Sequence, residues 1–514
     1  MGYENENGPE VVVAGAGPTG LTVAHELALA GVDVLVVEKE RERIRQVKGG
    51  ALQPRSCELF ALRGLLEPLE KRALTREPVG GHFAGLPVPL DCTPWRTRHP
   101  YPIGIPQWEI EEVVEERAVA RGARVLRGTA VTGAEPGETG VVVTVAGPDG
   151  GTRRVRGRYL VACDGAHSTV RKALGLPFPG RAGTHRAVLA DIRLSAVTPL
   201  VPRAAGHMST LTRHADGYWA TLVPLGGDRY RFTFGHGDRP GAERETPVTD
   251  EEIQAALAVV YGAGATLDGV ENASRFGDAT RQLEQYRAGR VLFAGEAAHI
   301  HSPLGGQGLN LGVQDAFNLG WKLAAVVQGR AADEFLDTYH AERHPAGASV
   351  LHHTSAQRVL AAPNPPQDVA ALRDIFTDLM RLPDANRHLA GLMSGLSLGY
   401  EATGTGSPAG SHPLAGHRVP DIDLTTASDA GTPTRLSALF HRGHAILLDL
   451  SGSAVPPDLE LPPRVDLVRA TTGDDVGATV LLLRPDGYVH WAADTDGGGS
   501  AVRAASAGIF GQTA

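Results

Sequence analysis

Cysteine is scarce in this 514-residue chain, and the three present, Cys57, Cys92 and Cys163, are far apart and odd in number. That spacing excludes a disulfide framework and the paired-ligand patterns of zinc sites, so no metal site is expected and a reducing cytoplasm fits. Basic runs are missing as well. The 49 Lys and Arg are dispersed among 58 Asp and Glu, a net charge of -9, which speaks against nucleic acid or an anionic membrane as partner. No apolar stretch approaches the roughly 20 residues that span a bilayer, and the acidic opening MGYENENGPE lacks the basic n-region of a signal peptide. Nothing in the pattern specifies an oligomeric state. What is present is an ordinary globular composition, 42% apolar and 21% charged. The chain is too long for one hydrophobic core, and two to about four domains are expected.

Residues 10–37 read as a buried strand, a glycine turn, an amphipathic helix from Leu21 to Ala30 and a second strand from Asp33 to Val37, a βαβ unit. The turn is Gly15-Ala16-Gly17-Pro18-Thr19-Gly20. In a GxGxxG turn the first glycine permits the sharp bend, the second lets backbone approach a pyrophosphate, and the third allows close helix-to-sheet packing. The phosphates then lie at a helix N-terminus with free N–H groups. Glu38 ends the second strand, followed by Lys39, where a carboxylate can accept from ribose hydroxyls. Its charge repels a 2′-phosphate, so the nucleotide expected is NAD or the ADP half of FAD. A glycine-rich loop alone would be a weak signal; strand, helix, second strand and Glu38 together make it a dinucleotide grip.

Further along, residues 185–236 alternate and are punctuated by Gly-Asp, the pattern of an antiparallel sheet. A strand at Arg290 to Ala294 runs into a glycine-rich loop and a long helix from about Asn310. The pattern stays helical to about residue 396, a linker is expected at Gly404 to Pro413, and strands near 445–450 and 479–484 mark a small C-terminal α/β domain.

Two more segments carry chemistry. Asp164-Gly165-Ala166-His167-Ser168-Thr169-Val170-Arg171 follows an apolar strand and opens a helix. Gly295-Glu296-Ala297-Ala298-His299 follows another and continues through Pro303 to Gly305-Gly306-Gln307-Gly308-Leu309-Asn310. With the N-terminal glycines they resemble the three fingerprints of the single-component flavoprotein aromatic hydroxylases, the family of para-hydroxybenzoate hydroxylase, phenol hydroxylase and the bacterial aromatic polyketide hydroxylases. The resemblance covers roughly residues 1–390 and extends loosely to the end.

It implies an α/β fold: a Rossmann-like FAD-binding domain (1–77, 107–178 and 275–396), an inserted mixed β-sheet substrate domain (78–106 and 179–274), and a thioredoxin-like α/β domain (397–514). The last lacks CxxC, which excludes redox activity there. FAD bound non-covalently is the implied cofactor, held by Gly15, Gly17, Pro18, Thr19, Gly20, Glu38, Lys39, Lys48, Arg55, Gln107, Asp164, Arg171, Gly295, Glu296, Pro303, Gly305, Gly306, Gly308, Leu309 and Asn310. Glu296 stands where Asp is usual in the family, and Lys48 where Arg is usual. For Lys48, Arg55 and Gln107 a solvated loop residue is the equal alternative, and for Asp164 a helix cap.

No second GxGxxG follows a strand, so NADPH or NADH is a transient visitor. The implied reaction delivers oxygen from O2 through a flavin C4a-hydroperoxide to an aromatic small molecule, a polycyclic polyketide by resemblance. The flavin carries the chemistry; Lys48, Pro303 and Gly305 are the protein's candidates for assisting it. Trp95, Trp219, Phe232 and Phe234 are substrate candidates, though strand alternation makes core equally suitable for any one of them. Baeyer–Villiger or ring-opening oxygenation on the same fold, and a non-catalytic FAD-binding protein, are the competing readings.

Overall fold

The computed structural model describes residues 8–45, 50–74, 79–237, 241–243, 245–400, 412–426, 434–452, 455–456, 459–494 and 498–508. Lys48 and most of the expected linker at Gly404 to Pro413 lie outside the described residues. The β-branched run Val11–Ala14 is fully covered on both faces and forms a central parallel strand. It pairs with Val34–Val37 on one side and Tyr159–Ala162 on the other. Val291–Phe293 and Arg124–Leu126 extend the parallel sheet, and Arg287–Ala288 closes one edge antiparallel. The helix Pro18–Leu29 crosses from the first strand to its neighbour, with Pro at its first turn and no side chain capping its N-terminus. A second helix, Gln307–Val327, is buried along almost its whole length and packs against the first.

The inserted domain is a five-stranded antiparallel sheet in the order Thr212–Ala215, Tyr218–Gly226, Arg229–His236, Arg186–Ala196, Thr266–Gly277. Its strands alternate, with register shifts along Arg186–Ala196. Val188, Ala190, Ile192, Leu222, Phe232 and Phe234 share a face and form a core with Ile253, Leu257 and Tyr261 of the helix Asp250–Tyr261. Thr249 caps that helix by accepting from the Glu252 N–H, and three acidic residues complement its first turn.

Three substrate candidates are corrected here. Phe232 is stacked on Phe234 with centroids 4.7 Å apart and meets Tyr261 edge-on at 6.1 Å, so both phenylalanines are core beneath the helix. Trp95 belongs to a third cluster. The segment around Phe83 to Trp95 packs on Leu360, Met380, Ala390 and Met393 rather than on the inserted sheet. The Trp95 indole N–H donates to the Arg387 carbonyl at 2.8 Å, with the Arg387 guanidinium over its ring. His207 Nε2, 3.3 Å from the Gly81 carbonyl, is a link from this segment back to the sheet domain.

The C-terminal domain is a six-stranded mixed sheet with Ala445–Asp449 parallel to Val465–Thr471 and antiparallel to Val480–Leu483. Its apolar residues are continuous with the core of the nucleotide-binding domain. Buried ion pairs cross the same boundary. Arg63 pairs with Glu26 at 2.6 Å and donates to the carbonyls of Phe440 and Pro485. Arg484 pairs with Glu342, which also holds Lys322 at 2.8 Å.

Because Phe232 is fully buried against a helix, Phe232→Ala is expected to cost about 3–5 kcal/mol of stability, read by urea denaturation, whereas Trp219→Phe on the opposite face should cost under about 1.5 kcal/mol.

Candidate active site

The nucleotide half of the cradle is built by the first crossover. Gly15 has φ +101°, and a Cβ there would lie 2.5 Å from the Cys163 carbonyl oxygen; one on Gly20 would lie 2.0 Å from the Gly15 oxygen. Neither position tolerates a side chain. Gly17, in contrast, faces open space, as a backbone approached by a phosphate must. Glu38 is oriented by two backbone donors, Ala16 N–H at 2.7 Å and Glu40 N–H at 2.9 Å, which fix its carboxylate beside the turn. Lys39 projects outward, 73% exposed and 3.8 Å from Glu40. Thr19 wedges against Gly295 and Gly312, so the first fingerprint touches the third.

Asp164 follows the strand Tyr159–Ala162. Its Oδ2 accepts from the Val170 N–H at 3.1 Å, while Oδ1 is buried without a protein partner. The Val170 bond is the one the helix-cap alternative expects, and it leaves the second oxygen available to a cofactor. Arg171 donates to the carbonyls of Ala166 and Ala297 at 2.8 and 2.9 Å and stacks on Phe178. It ties the Asp-Gly loop to the Gly295 loop.

The third fingerprint hangs on a buried carboxylate. Asp315, on the helix Gln307–Val327, accepts from the Gly295 N–H at 3.1 Å, lies 2.7 Å from His299 Nε2, and accepts from Arg343 Nε at 2.8 Å. Burial alone would raise its pKa; Arg343 first and His299 second reverse that and hold it below the usual carboxylate range. The loop then turns through Gly305 and Gly306, both at positive φ. Asn310 donates to the carbonyls of Ala51 and Gly306 and accepts from the Gln53 N–H at 2.8 Å, and Gln53 donates to the Gly305 carbonyl at 3.0 Å. Glu296, Pro303 and Gly306 are exposed, and Gly308 and Leu309 are half-buried at the start of the helix. Asp164 Oδ1 and the open faces of Gly17 and Gly306 fit a dinucleotide cofactor laid from Glu38 to the helix N-terminus.

Over this cradle stands the polar face of the inserted sheet. The Arg231 guanidinium reaches toward Gly50 and pairs with Asp191 at 2.9 Å, and Asn272 donates to the same carboxylate. Trp219 and Thr233 share that face by alternation.

Two expected contacts fall elsewhere. Arg55 is buried, and its two terminal nitrogens donate to Glu58 and the Asp486 carbonyl, both at 2.9 Å, beneath Tyr488, with Nε left without a protein partner; these bonds tie it to the C-terminal domain. Gln107 donates to Glu111 at 2.8 Å, one turn along its own helix. A cavity of about 480 Å³ lined by Arg181, Arg281, Arg358 and His344 includes none of the cradle residues.

Residues the sequence reading missed are Gln53, Asp315 and Arg343. Each acts through a partner distant in sequence. One signal was available for Asp315: with Asn318 and Lys322 it interrupts the apolar run of an otherwise buried helix.

A dinucleotide cradle of this form, roofed by an inserted antiparallel sheet, defines a Rossmann-like flavoprotein. Residues 9–354 match the FAD binding domain model and residues 412–513 that of the aromatic-ring hydroxylase C-terminal domain. The chain belongs to the FAD-dependent aromatic-ring hydroxylases. It is 45% identical over 498 residues to the 12-dehydrotetracycline 5-monooxygenase/anhydrotetracycline 6-monooxygenase of Streptomyces rimosus, covering 95% of this chain and 96% of that protein. It is 40% identical to the rifampicin monooxygenase of Streptomyces venezuelae, over 94% of this chain and 96% of the relative. The OxyS anhydrotetracycline hydroxylase structure from S. rimosus superposes with a TM-score of 0.84 at 43% identity, covering 96% and 98% of the two chains. The protein is therefore a flavin-dependent monooxygenase with FAD as cofactor and NAD(P)H as co-substrate.

Asp315→Asn would leave Arg343 a buried cation without its counter-ion, and it is expected to cost about 3–5 kcal/mol and to weaken FAD binding, read by thermal denaturation and FAD titration. A pH effect follows from four imidazoles, of which His353 is buried and His82, His301 and His490 are half-buried. Burial pushes His82, His301, His353 and His490 down to about 4, so each is neutral in the folded state near neutrality. The unfolded chain binds protons that the folded one refuses, so stability is full above about 6.5 and falls as pH drops toward 4. Melting temperature measured from pH 8 to pH 4 should decline through that window.

Proposed function

We propose that this monooxygenase hydroxylates a polycyclic aromatic substrate of the polyketide type, with O2 as oxidant and NADPH or NADH as reductant, in the cytoplasm. The observation that carries this reading is the match along nearly the whole chain to a protein named for its action on anhydrotetracycline, inserted sheet included. Its free thiols suit a reducing compartment, and no helix among the described residues is long and apolar enough to cross a membrane.

Bound FAD would supply the redox chemistry, taking hydride from NAD(P)H and activating O2. The chain's own residues then bind, orient and keep the site dry. Gly17 and Glu38 would hold the ADP end, and Asp164 Oδ1 would accept from a cofactor hydroxyl. Asp315, Gln53 and Asn310 hold the Gly295–Asn310 backbone, whose N–H groups at the helix start would serve the flavin ring. The inserted sheet would exclude water above it, and Arg231, Asp191 and Trp219 would line the substrate side. The Asp191–Arg231 pair keeps that wall polar, suited to hydroxyl and carbonyl substituents on a flat ring system. Lys39, Pro303 and Gly305 remain part of this proposal as backbone or peripheral contacts to the cofactor.

Anaerobic reduction of the holoenzyme by NADPH and by NADH, followed by ¹⁸O2 with anhydrotetracycline, tests it. A product heavier by one labelled oxygen on a ring carbon is expected. Oxygen inserted between ring carbons would assign the Baeyer–Villiger reaction instead, and FAD that neither nicotinamide reduces would defeat the catalytic reading.

A further inference from the structure

Two imidazoles beside the Gly305–Gly306 turn are left with opposite hydrogen-bonding needs. His301 lies just after the strand His299–Ile300, with Nδ1 2.7 Å from the Ser302 carbonyl oxygen. A carbonyl only accepts, so Nδ1 carries the hydrogen. The ring is neutral, and Nε2 is therefore a bare acceptor. That atom is buried without a protein partner. It looks toward the start of the helix Gln307–Val327, where a Cβ on Gly308 would lie 3.7 Å from it and 4.0 Å from Glu296 Oε1.

His353 has the reverse assignment. The Gln357 amide is oriented by the Ala84 N–H, which donates to its Oε1 at 3.0 Å. The nitrogen of that amide, Nε2, is then the atom 3.2 Å from His353 Nδ1. An NH2 group only donates, so Nδ1 accepts and the hydrogen of His353 resides on Nε2. That donor, too, is buried without a partner. The two rings are near enough for His301 to add, after burial, to the lowering of the His353 pKa. Gln357 Oε1 would lie 3.6 Å from a Cβ on Gly305, which places this pair beside the Gly305–Gly306 turn.

One acceptor and one donor, both buried and without a protein partner, suit a hydroxyl, which donates and accepts at a single atom. We propose that His301 and His353 clamp a hydroxyl, His301 Nε2 accepting its hydrogen and His353 Nε2–H donating to its oxygen. The hydroxyl has two sources in this site, a phenol or enol of the substrate or the ribityl chain of FAD; the substrate source rests on the function proposed above. His353 lies on the helix Asp337–Leu360, and on the outer flank of that helix His344, Leu351, Ser355 and Arg358 face the separate cavity, so the clamp belongs to the inner face.

Three measurements on the full-length protein test the clamp. The dissociation constant of FAD is measured on deflavinated protein and that of anhydrotetracycline on FAD-saturated protein, for wild type, His301→Phe, His353→Phe and the glutamine variants of each. If the hydroxyl is the substrate's, each phenylalanine variant weakens anhydrotetracycline binding roughly tenfold and leaves FAD affinity alone, with glutamine restoring most of the loss. If it is the cofactor's, the same pattern appears in the FAD titration. Phenylalanine variants that change neither constant overturn the clamp. Wild type that takes up FAD but not anhydrotetracycline refutes the substrate class proposed above, and the clamp is then decided by the FAD titration. ¹⁵N-histidine NMR at pH 7, assigned through the variants, gives an independent reading. The Nδ1–H form of His301 and the Nε2–H form of His353 are expected, and the opposite tautomer of either overturns the assignment whether or not a variant fails to fold.

Discussion

Asp315 has no exposed surface, and both of its oxygens are spent: one on the Gly295 N–H and His299, the other on Arg343. The loop that would present backbone to the flavin ring therefore hangs from a charge that exists only because a guanidinium and an imidazole surround it. Arg343 in turn donates to the Tyr400 hydroxyl at 3.2 Å. Tyr400 lies against Tyr488 of the C-terminal domain, and Arg484 sits over both rings while pairing with Glu342 and Asp486. Buried charges of this kind add little net stability as a set but are costly to orphan. The consequence is geometric. A displacement of the C-terminal domain would strip partners from Arg484 and Tyr400 and so reach the Gly295 loop through two intermediates. A domain without CxxC thus still bears on the redox site, as a buttress.

The inserted sheet answers a different constraint, that one element must be both a stable core and a ligand wall. Strand alternation resolves it. Tyr230, Phe232 and Phe234 turn to the helix Asp250–Tyr261, while Arg231 and Thr233, between them in sequence, turn to the cradle. Burying the Asp191–Arg231 pair on the second face costs desolvation, which Asn272 and the bidentate geometry partly offset. A wall made of Phe232 and Phe234 would be cheaper to build, but it would offer no partner to the polar substituents of a substrate.

What the sequence made legible were features whose parts are near one another along the chain. The βαβ unit, its glycine turn, Glu38 and the Asp-Gly helix are each complete within about 30 residues, and local stereochemistry determines them. The helix after the third fingerprint begins at Gln307, three residues before the expected start, because Gly305 and Gly306 absorb the turn at positive φ. Arg55 was misread because its partner carbonyl, Asp486, is 431 residues away. Trp95 and the Arg387 carbonyl are 292 apart. An arginine next to a glycine-rich segment and a tryptophan in a proline-rich one carry no local mark of where they will be buried. Phe232 and Phe234 were placed correctly on one face of a strand; which face meets ligand depends on where the helix Asp250–Tyr261 docks, and that is a tertiary fact.

The unsatisfied polar atoms tell the same story from the opposite side. Buried nitrogen and oxygen without partners are rare in folded chains because each forfeits its hydration. Here Asp164 Oδ1 comes from the Asp-Gly loop, His301 Nε2 from the loop after Gly295 and Asn272 Oδ1 from the inserted sheet. These three segments have no sequence proximity, and the cofactor and substrate proposed above would lie among them. Each atom is an acceptor, and a flavin dinucleotide and a polyhydroxylated ring both bring hydroxyl and N–H donors. The protein's part in the reaction is thus written as unmet hydrogen bonds and excluded water rather than as an acid–base apparatus, which is what a reaction carried by the cofactor requires of its host.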